Sequence, residues 1–271
     1  MENLHFTDEA IYGLIIQGIL MMVLPVVLLV IWKIKTKESI VPVIIGAVTW
    51  FVFAIILKLA PAYFLLYGDN PVAKTISGNV WYTMILAGVL AGVFEETGRF
   101  LAFKFVLKNN TGRRTSLSYG IGHGGFESVY VGFQMIITAV MGILINGGMA
   151  DQIFGNADPA MLETALGQID KQANLTIGEC LLGVFERIPA IAGHISFSVL
   201  VFAAVRERQF RYLFPTAIVL HALMDFSVVF YNAGIVEMWG MELILIIYAA
   251  VMATFAYWAY RQLDTVKTET E

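Results

Sequence analysis

The sequence predicts an all-α, polytopic membrane protein, a bundle of about seven transmembrane helices with the N-terminus outside and the C-terminus cytoplasmic. Three observations carry this. Of 271 residues, 58% are hydrophobic and 14% charged, against about 25% charged in an average soluble chain. Apolar runs long enough to cross roughly 30 Å of hydrocarbon, about 20 helical residues each, recur from end to end. The basic residues gather at one end of these runs. Lipid offers no partner for a bare backbone amide, so open chains cross it as helices.

Along the chain the spans are expected at about 9–32, 40–67, 80–107, 116–146, 175–205, 212–233 and 237–262. The acidic start lacks the positive region of a cleavable signal, so the first span is expected to be retained. Lys33, Lys35 and Lys37 follow the first span, and Lys104, Lys108, Arg113 and Arg114 follow the third. Arg206, Arg208 and Arg211 follow the fifth, and Arg261 and Lys267 the seventh. Twelve of the 17 basic residues thus share one side, which the positive-inside rule makes cytoplasmic. Trp32, Trp81, Trp239 and Trp258 fall near helix ends, as interfacial anchors do.

Residues 1–271 are expected to form a single integral membrane domain with its catalytic helices at about 80–233. The loop 147–174 is acidic and expected outside. In it, Asp158 and Pro159 supply the cap and first-turn proline of a short amphipathic helix. Met161, Leu162, Ala165, Leu166 and Ile169 would form its apolar face, packed on the bundle or lying at the interface. A single cysteine, Cys180, excludes an internal disulfide framework or a cysteine-based metal cluster. No internal repeat supports an inverted-repeat transporter.

Within the spans a set of seven charged side chains and three histidines nevertheless stands out: Glu95, Glu96, Arg99, His123, Glu127, Glu186, Arg187, His194, His221 and Asp225. At roughly 2.5–3.5 kcal/mol per charge at mid-bilayer, seven unpaired charges would cost on the order of 20 kcal/mol, more than the roughly 5–15 kcal/mol net stability of a typical domain. They must pair, bind an ion or line a wet cavity. Depth tests whether they meet. Glu95 and Glu96 lie nine and eight residues from Lys104, His123 nine from Arg114, His194 twelve from Arg206 and His221 ten from Arg211. At 1.5 Å per residue these heights are about 12–18 Å, one layer near the bilayer centre. Glu127 and Asp225 sit one turn beyond His123 and His221 on the same helix faces. Glu186 and Arg187 fall nearer the outer face and read as a separate pair.

Three imidazoles at one depth, His123, His194 and His221, suit a catalytic zinc ion (Zn2+) with water in its fourth place. Glu95 or Glu96 would act as general base, the other pairing with Arg99; the i, i+4 and i, i+3 spacings leave open which. Glu127 and Asp225 could orient the neighbouring imidazoles. A metal-free version, with a glutamate activating water and imidazoles binding the oxyanion, is also open. Lys58 is expected to snorkel or pair, with no assigned role. The glycines 120, 122, 124 and 125 serve either close helix packing or close approach of a peptide to His123.

Glu95-Glu96-Thr97-Gly98-Arg99, Gly122-His123-Gly124-Gly125-Phe126-Glu127, Glu186-Arg187 with His194, and His221 with Asp225 together resemble the YhfC family of intramembrane proteases. That family is similar to the CAAX proteases, the bacteriocin-processing enzymes and the PrsW proteases. The resemblance implies an all-helical endopeptidase that cuts peptide bonds at or within the membrane, with a glutamate-activated water and histidines from two later helices. It places Glu95 or Glu96, His194, His221 and Asp225 in catalytic positions, joined by His123 and Glu127, with Arg99 in the first motif. The expected partners are the lipid bilayer and a membrane protein or lipidated peptide substrate, with no nucleic acid; the expected location is the cell membrane. The rival readings are a transporter or channel using the same groups for protons or cations, haem ligation by two histidines, and a catalytically silent relative.

Overall fold

The computed structural model describes residues 4–155, 166–167 and 169–268. Among them the chain is helical, with no strand. The helices are α1 (Asp8–Thr36), α2 (Val41–Tyr67), α3 (Pro71–Ser77), α4 (Val80–Leu101, prolonged by a π turn Ala102–Val106), α5 (Arg114–Asn146), α6 (Ala150–Phe154), α7 (Ile177–Arg206), α8 (Leu213–Asn232) and α9 (Met238–Thr268). A 3-10 turn, Arg208–Phe210, precedes α8.

Local chemistry sets the ends. The Thr7 hydroxyl accepts from the Ala10 amide to open α1, whose first turn is acidic and last turn basic, as the helix dipole favours. Asn70, followed by Pro71, caps α3, and Asn79 caps α4. Thr176 and Glu179 form a reciprocal capping box on α7. Within α2, π segments at Phe51–Leu57 and Tyr63–Tyr67 flank Lys58–Ala62; Pro61, with no N–H to donate, sits between them.

Six helical runs are long and apolar enough to cross a membrane: α1, α2, α5, α7, Arg208–Asn232 and α9. The remaining expected span, the third at 80–107 (α4), qualifies only together with α3, from which it is bent by 107°. The cause is in its sequence, since Glu95, Glu96, Arg99 and Lys104 dilute its hydropathy. The protein is a multi-pass membrane protein. The short helix expected around Asp158, Pro159, Met161, Leu162, Glu163 and Ala165 lies outside the described residues, whereas Leu166 and Ile169 are helical.

The chain divides into two compact units. One comprises residues 1–24 and 128–187. Its core is Phe6, Ile11, Leu14, Ala139, Ile145, Phe154, Ile169 and Ala173. Asn146 ties its N-terminus by accepting from the Phe6 amide at 2.9 Å and donating to the Phe6 carbonyl at 2.8 Å. Glu186 and Arg187 pair with each other here, as expected.

The other unit comprises residues 25–127 and 188–271. Phe103, Tyr119, Phe197, Phe202, Leu213 and Met252 centre its core, all at 2% exposure or less. At its basic end the Arg206 guanidinium donates to the carbonyls of Leu107 at 2.7 Å and Lys108 at 3.0 Å, satisfying groups that the end of the π turn leaves bare.

Candidate active site

The polar cluster lies in the larger unit, on four helices. α4 holds Glu95, Glu96 and Arg99; α5 holds His123 and Glu127; α7 holds His194; α8 holds His221 and Asp225. Small residues let them approach. A Cβ at Gly92 of α4 would lie 2.5 Å from the Ile218 carbonyl of α8, and one at Gly88 would lie 2.7 Å from that of Ala222. The α5 glycines are likewise occupied by helices: Gly120 meets Ile195, Gly122 meets Val43, Gly124 meets His194 and Gly125 meets Pro25. Of the two roles open to that glycine run, the structure takes helix packing.

All eight residues nominated from the sequence come together. Glu95, Glu96, Arg99, His123, His194 and His221 are buried. The Glu127 and Asp225 side chains keep 19% and 31% exposure. Adjacent helical residues project about 100° apart, and the two glutamates are used differently. Glu96 accepts from Arg99 Nη1 at 2.6 and 2.7 Å, and its Oε1 lies 2.6 Å from His221 Nδ1. Glu95 faces imidazoles: its Oε2 lies 3.1 Å from His123 Nε2 and 3.8 Å from His221 Nε2. The spacing ambiguity is thereby resolved in the fold: Arg99 takes Glu96.

Each imidazole has its own partners. His221 donates Nδ1–H to the Glu96 carboxylate, leaving the Nε2 lone pair toward Glu95 and, at 4.0 Å, Asp225. His194 Nδ1 lies 3.4 Å from Arg99 Nη2, and its Nε2 lies 2.7 Å from Glu127 Oε2; a ligating nitrogen carries no proton, so one of these two contacts gives way when His194 holds an ion. His123 gives Nε2–H to Glu95, while its buried Nδ1 has no hydrogen-bond partner among the described residues. Phe197 stacks on His221 with centroids 5.0 Å apart, and the Arg99 guanidinium lies 5.9 Å over the same ring. Glu127 thus meets the imidazole of another helix, His194.

Glu95, His194 and His221 each offer a ligand atom, and these atoms lie within 4.8 Å of one another. Two ligands of a tetrahedral zinc, each about 2.1 Å from it, stand roughly 3.4 Å apart. The group fits such an ion after an inward shift of about an ångström, and its composition suits zinc. Two imidazoles and a carboxylate leave a fourth place, the stoichiometry of a catalytic site. In this grouping Glu95 takes the third position and His123, with its ring 5.0 Å from that of His194, stands behind it.

Lys58 joins the site without having been nominated. Its Nζ lies 3.6 Å from Glu95 Oε1, with the side chain 26% exposed. The π segment before it inserts a residue into the helical period, so a 3.6-residue reading of α2 cannot say which way Lys58 points.

A multi-span helical protein with a buried Glu–His–His group, backed by a second carboxylate and a clamped arginine, has the features of an intramembrane hydrolase. The chain belongs to the YhfC family: residues 20–254 match the family described as YhfC intramembrane metalloprotease. It is 35% identical over 254 residues, 93% of this chain and 96% of the other, to the "Uncharacterized membrane protein YhfC" of Bacillus subtilis (strain 168). No solved structure matches the chain.

Proposed function

We propose that this chain is an intramembrane endopeptidase that hydrolyses a peptide bond of a membrane protein or lipidated peptide. The observation that carries the reading is the convergence of Glu95, His194 and His221, from three helices, with ligand atoms within 4.8 Å of one another. The family description supports the same chemistry. These three residues would hold a divalent ion, with zinc the best match to the donor set. When bound, such an ion brings water near pKa 7 and polarises a carbonyl.

The chain's own residues do the rest. Arg99 clamps Glu96, and Glu96 holds Nδ1 of His221, which keeps Nε2 free of a proton and aimed at the ligand group. His123 fixes the orientation of Glu95. Glu127 touches His194 and is partly exposed, so it is the carboxylate placed to take a proton from water and return it to the leaving amine. Asp225 Oδ2, 4.0 Å from His221 Nε2, adds a second carboxylate beside the ligand group.

The test separates binding from proton transfer. Purified wild type should carry about one equivalent of zinc, as three protein ligands imply. His221→Ala should lose the metal and the activity together. Glu127→Gln should keep the metal while cleavage falls about 10²–10⁴-fold. Cleavage is read by membrane proteomics of cells carrying wild type or Glu127→Gln, as fragments whose ends map inside transmembrane segments. Wild type without divalent metal, or Glu127→Gln cutting at full rate, would reject the mechanism.

A further inference from the structure

A cavity of about 460 Å³ lies at the basic end of the larger unit, lined by Phe100, Lys104, Ala204, Val205, Arg211 and Phe214. Its walls differ in character. Phe100 and Phe214 meet with ring centroids 4.7 Å apart, and Ala204 is buried beside half-buried Val205, giving an aromatic and aliphatic floor. Lys104 and Arg211 stand exposed at the mouth. Among the described residues neither forms an ion pair with an acid; the Lys104 ammonium lies instead over the rings of Phe100 at 5.2 Å and Phe105 at 5.4 Å.

Three neighbouring cations at this end are already engaged. Arg206 is spent on backbone carbonyls, Arg114 lies 3.5 Å from Glu38, and Arg113 stacks on Tyr260. Lys108 and Arg208 are exposed but do not line the cavity. Two unneutralised cations over an apolar floor, where spans give way to a basic loop, define a ligand with two parts. Its anionic part takes Lys104 as a point charge and Arg211 as a planar fork, the pairing that phosphate accepts. Its apolar part covers Phe100 and Phe214. A free phosphate satisfies only the first requirement, and an uncharged lipid only the second.

We propose that this cavity is a binding site for one anionic phospholipid, with its phosphate between Lys104 and Arg211 and the glycerol and upper acyl region against Phe100 and Phe214. Basic pockets between transmembrane helices bind such headgroups, and the cavity volume falls within the roughly 300–1,000 Å³ of small-ligand sites. The site bridges the helix that carries Glu95 and Glu96 and the helix that carries His221. Phe100 follows Arg99 directly, and Phe214 lies two turns before His221. The proposal does not depend on the protein being a peptidase.

Native mass spectrometry of the full chain in detergent, titrated with phosphatidylglycerol, phosphatidylcholine or inorganic phosphate, tests it. Wild type should retain one phosphatidylglycerol and release phosphatidylcholine. The double variant Lys104→Gln/Arg211→Gln should bind phosphatidylglycerol at least tenfold more weakly. Lys108→Gln/Arg208→Gln, which removes the same charge from the same end outside the cavity, should bind within twofold of wild type. All four positions are exposed, and unchanged melting in lipid-free detergent checks the fold of each variant. Equal loss in both double variants would assign the binding to diffuse charge and overturn the site. So would equal retention of phosphatidylcholine, or displacement of phosphatidylglycerol by millimolar inorganic phosphate, which would make the cavity a free-anion site.

Discussion

Replacing Glu96 by Gln leaves Arg99, fully buried, without its carboxylate; removing one partner of a buried pair costs roughly 3–5 kcal/mol. The same change at Glu95 keeps that pair and removes one donor of the Glu–His–His group. Glu96→Gln should therefore lower the thermal midpoint of detergent-purified protein clearly more than Glu95→Gln does. Glu95→Gln should instead weaken zinc binding at least tenfold in a chelator competition, as loss of one of three ligands implies. Equal midpoints would contradict the burial argument. Lys58 carries a prediction of opposite sign. An ammonium 3.6 Å from a ligand carboxylate opposes a divalent cation there, so Lys58→Met should raise zinc affinity in the same competition, by several-fold. What the sequence revealed of the site follows from these residues. The cost of buried charge and the count from each basic flank were enough to place Glu95, His123, His194 and His221 in one layer. Partner choice was not legible, because it depends on rotation about each helix axis. Glu127 with His194, Glu96 with His221 and Lys58 with Glu95 are all contacts between helices.

The pairing of α4 with α8 has its own test. Gly88 and Gly92 stand one turn apart and let the carbonyls of Ala222 and Ile218 sit where side chains would otherwise be. Both neighbours are backbone and cannot swing aside. Gly92→Val forces the helices apart, overpacking worth about 1–3 kcal/mol, and carries His221 away from Glu95. A lowered melting midpoint together with lost zinc is expected, while Gly112→Ala, with nothing within 4 Å of its Cβ, should change neither. Loss of stability with full metal content would separate the packing from the site. The helices themselves were largely readable: the span expected at 212–233 is found at Leu213–Asn232, and that at 40–67 at Val41–Tyr67. Hydropathy suffices for those because lipid sorts whole segments. It fails to reveal α3, although Asn70 and Pro71 spell a helix start, because seven residues are too few to register as a span. It also misses the π segments of α2, which leave the apolar composition unchanged while shifting the helical phase.

Topology decides whether the site helix crosses the membrane at all. Counting α3 and α4 as one bent crossing gives seven spans and termini on opposite sides; counting them as a re-entrant element gives six and termini on the same side. The distribution of charge distinguishes these. Lys104, Lys108, Arg113 and Arg114 follow α4, and a re-entrant α3–α4 would put them on the opposite side from Lys33, Lys35 and Lys37. With basic residues retained on the cytoplasmic face, a full crossing is expected, which also holds Glu95 and Glu96 near mid-membrane depth. Green fluorescent protein fused after Asn109, or at the C-terminus, should therefore fluoresce, and alkaline phosphatase fused after Gly148 should be active in the same cells. Alkaline phosphatase activity in place of fluorescence at Asn109 would make α4 re-entrant. The Glu–His–His group would then be reached from the outer surface, and the peptide bond presented to it would lie in the outer half of the bilayer.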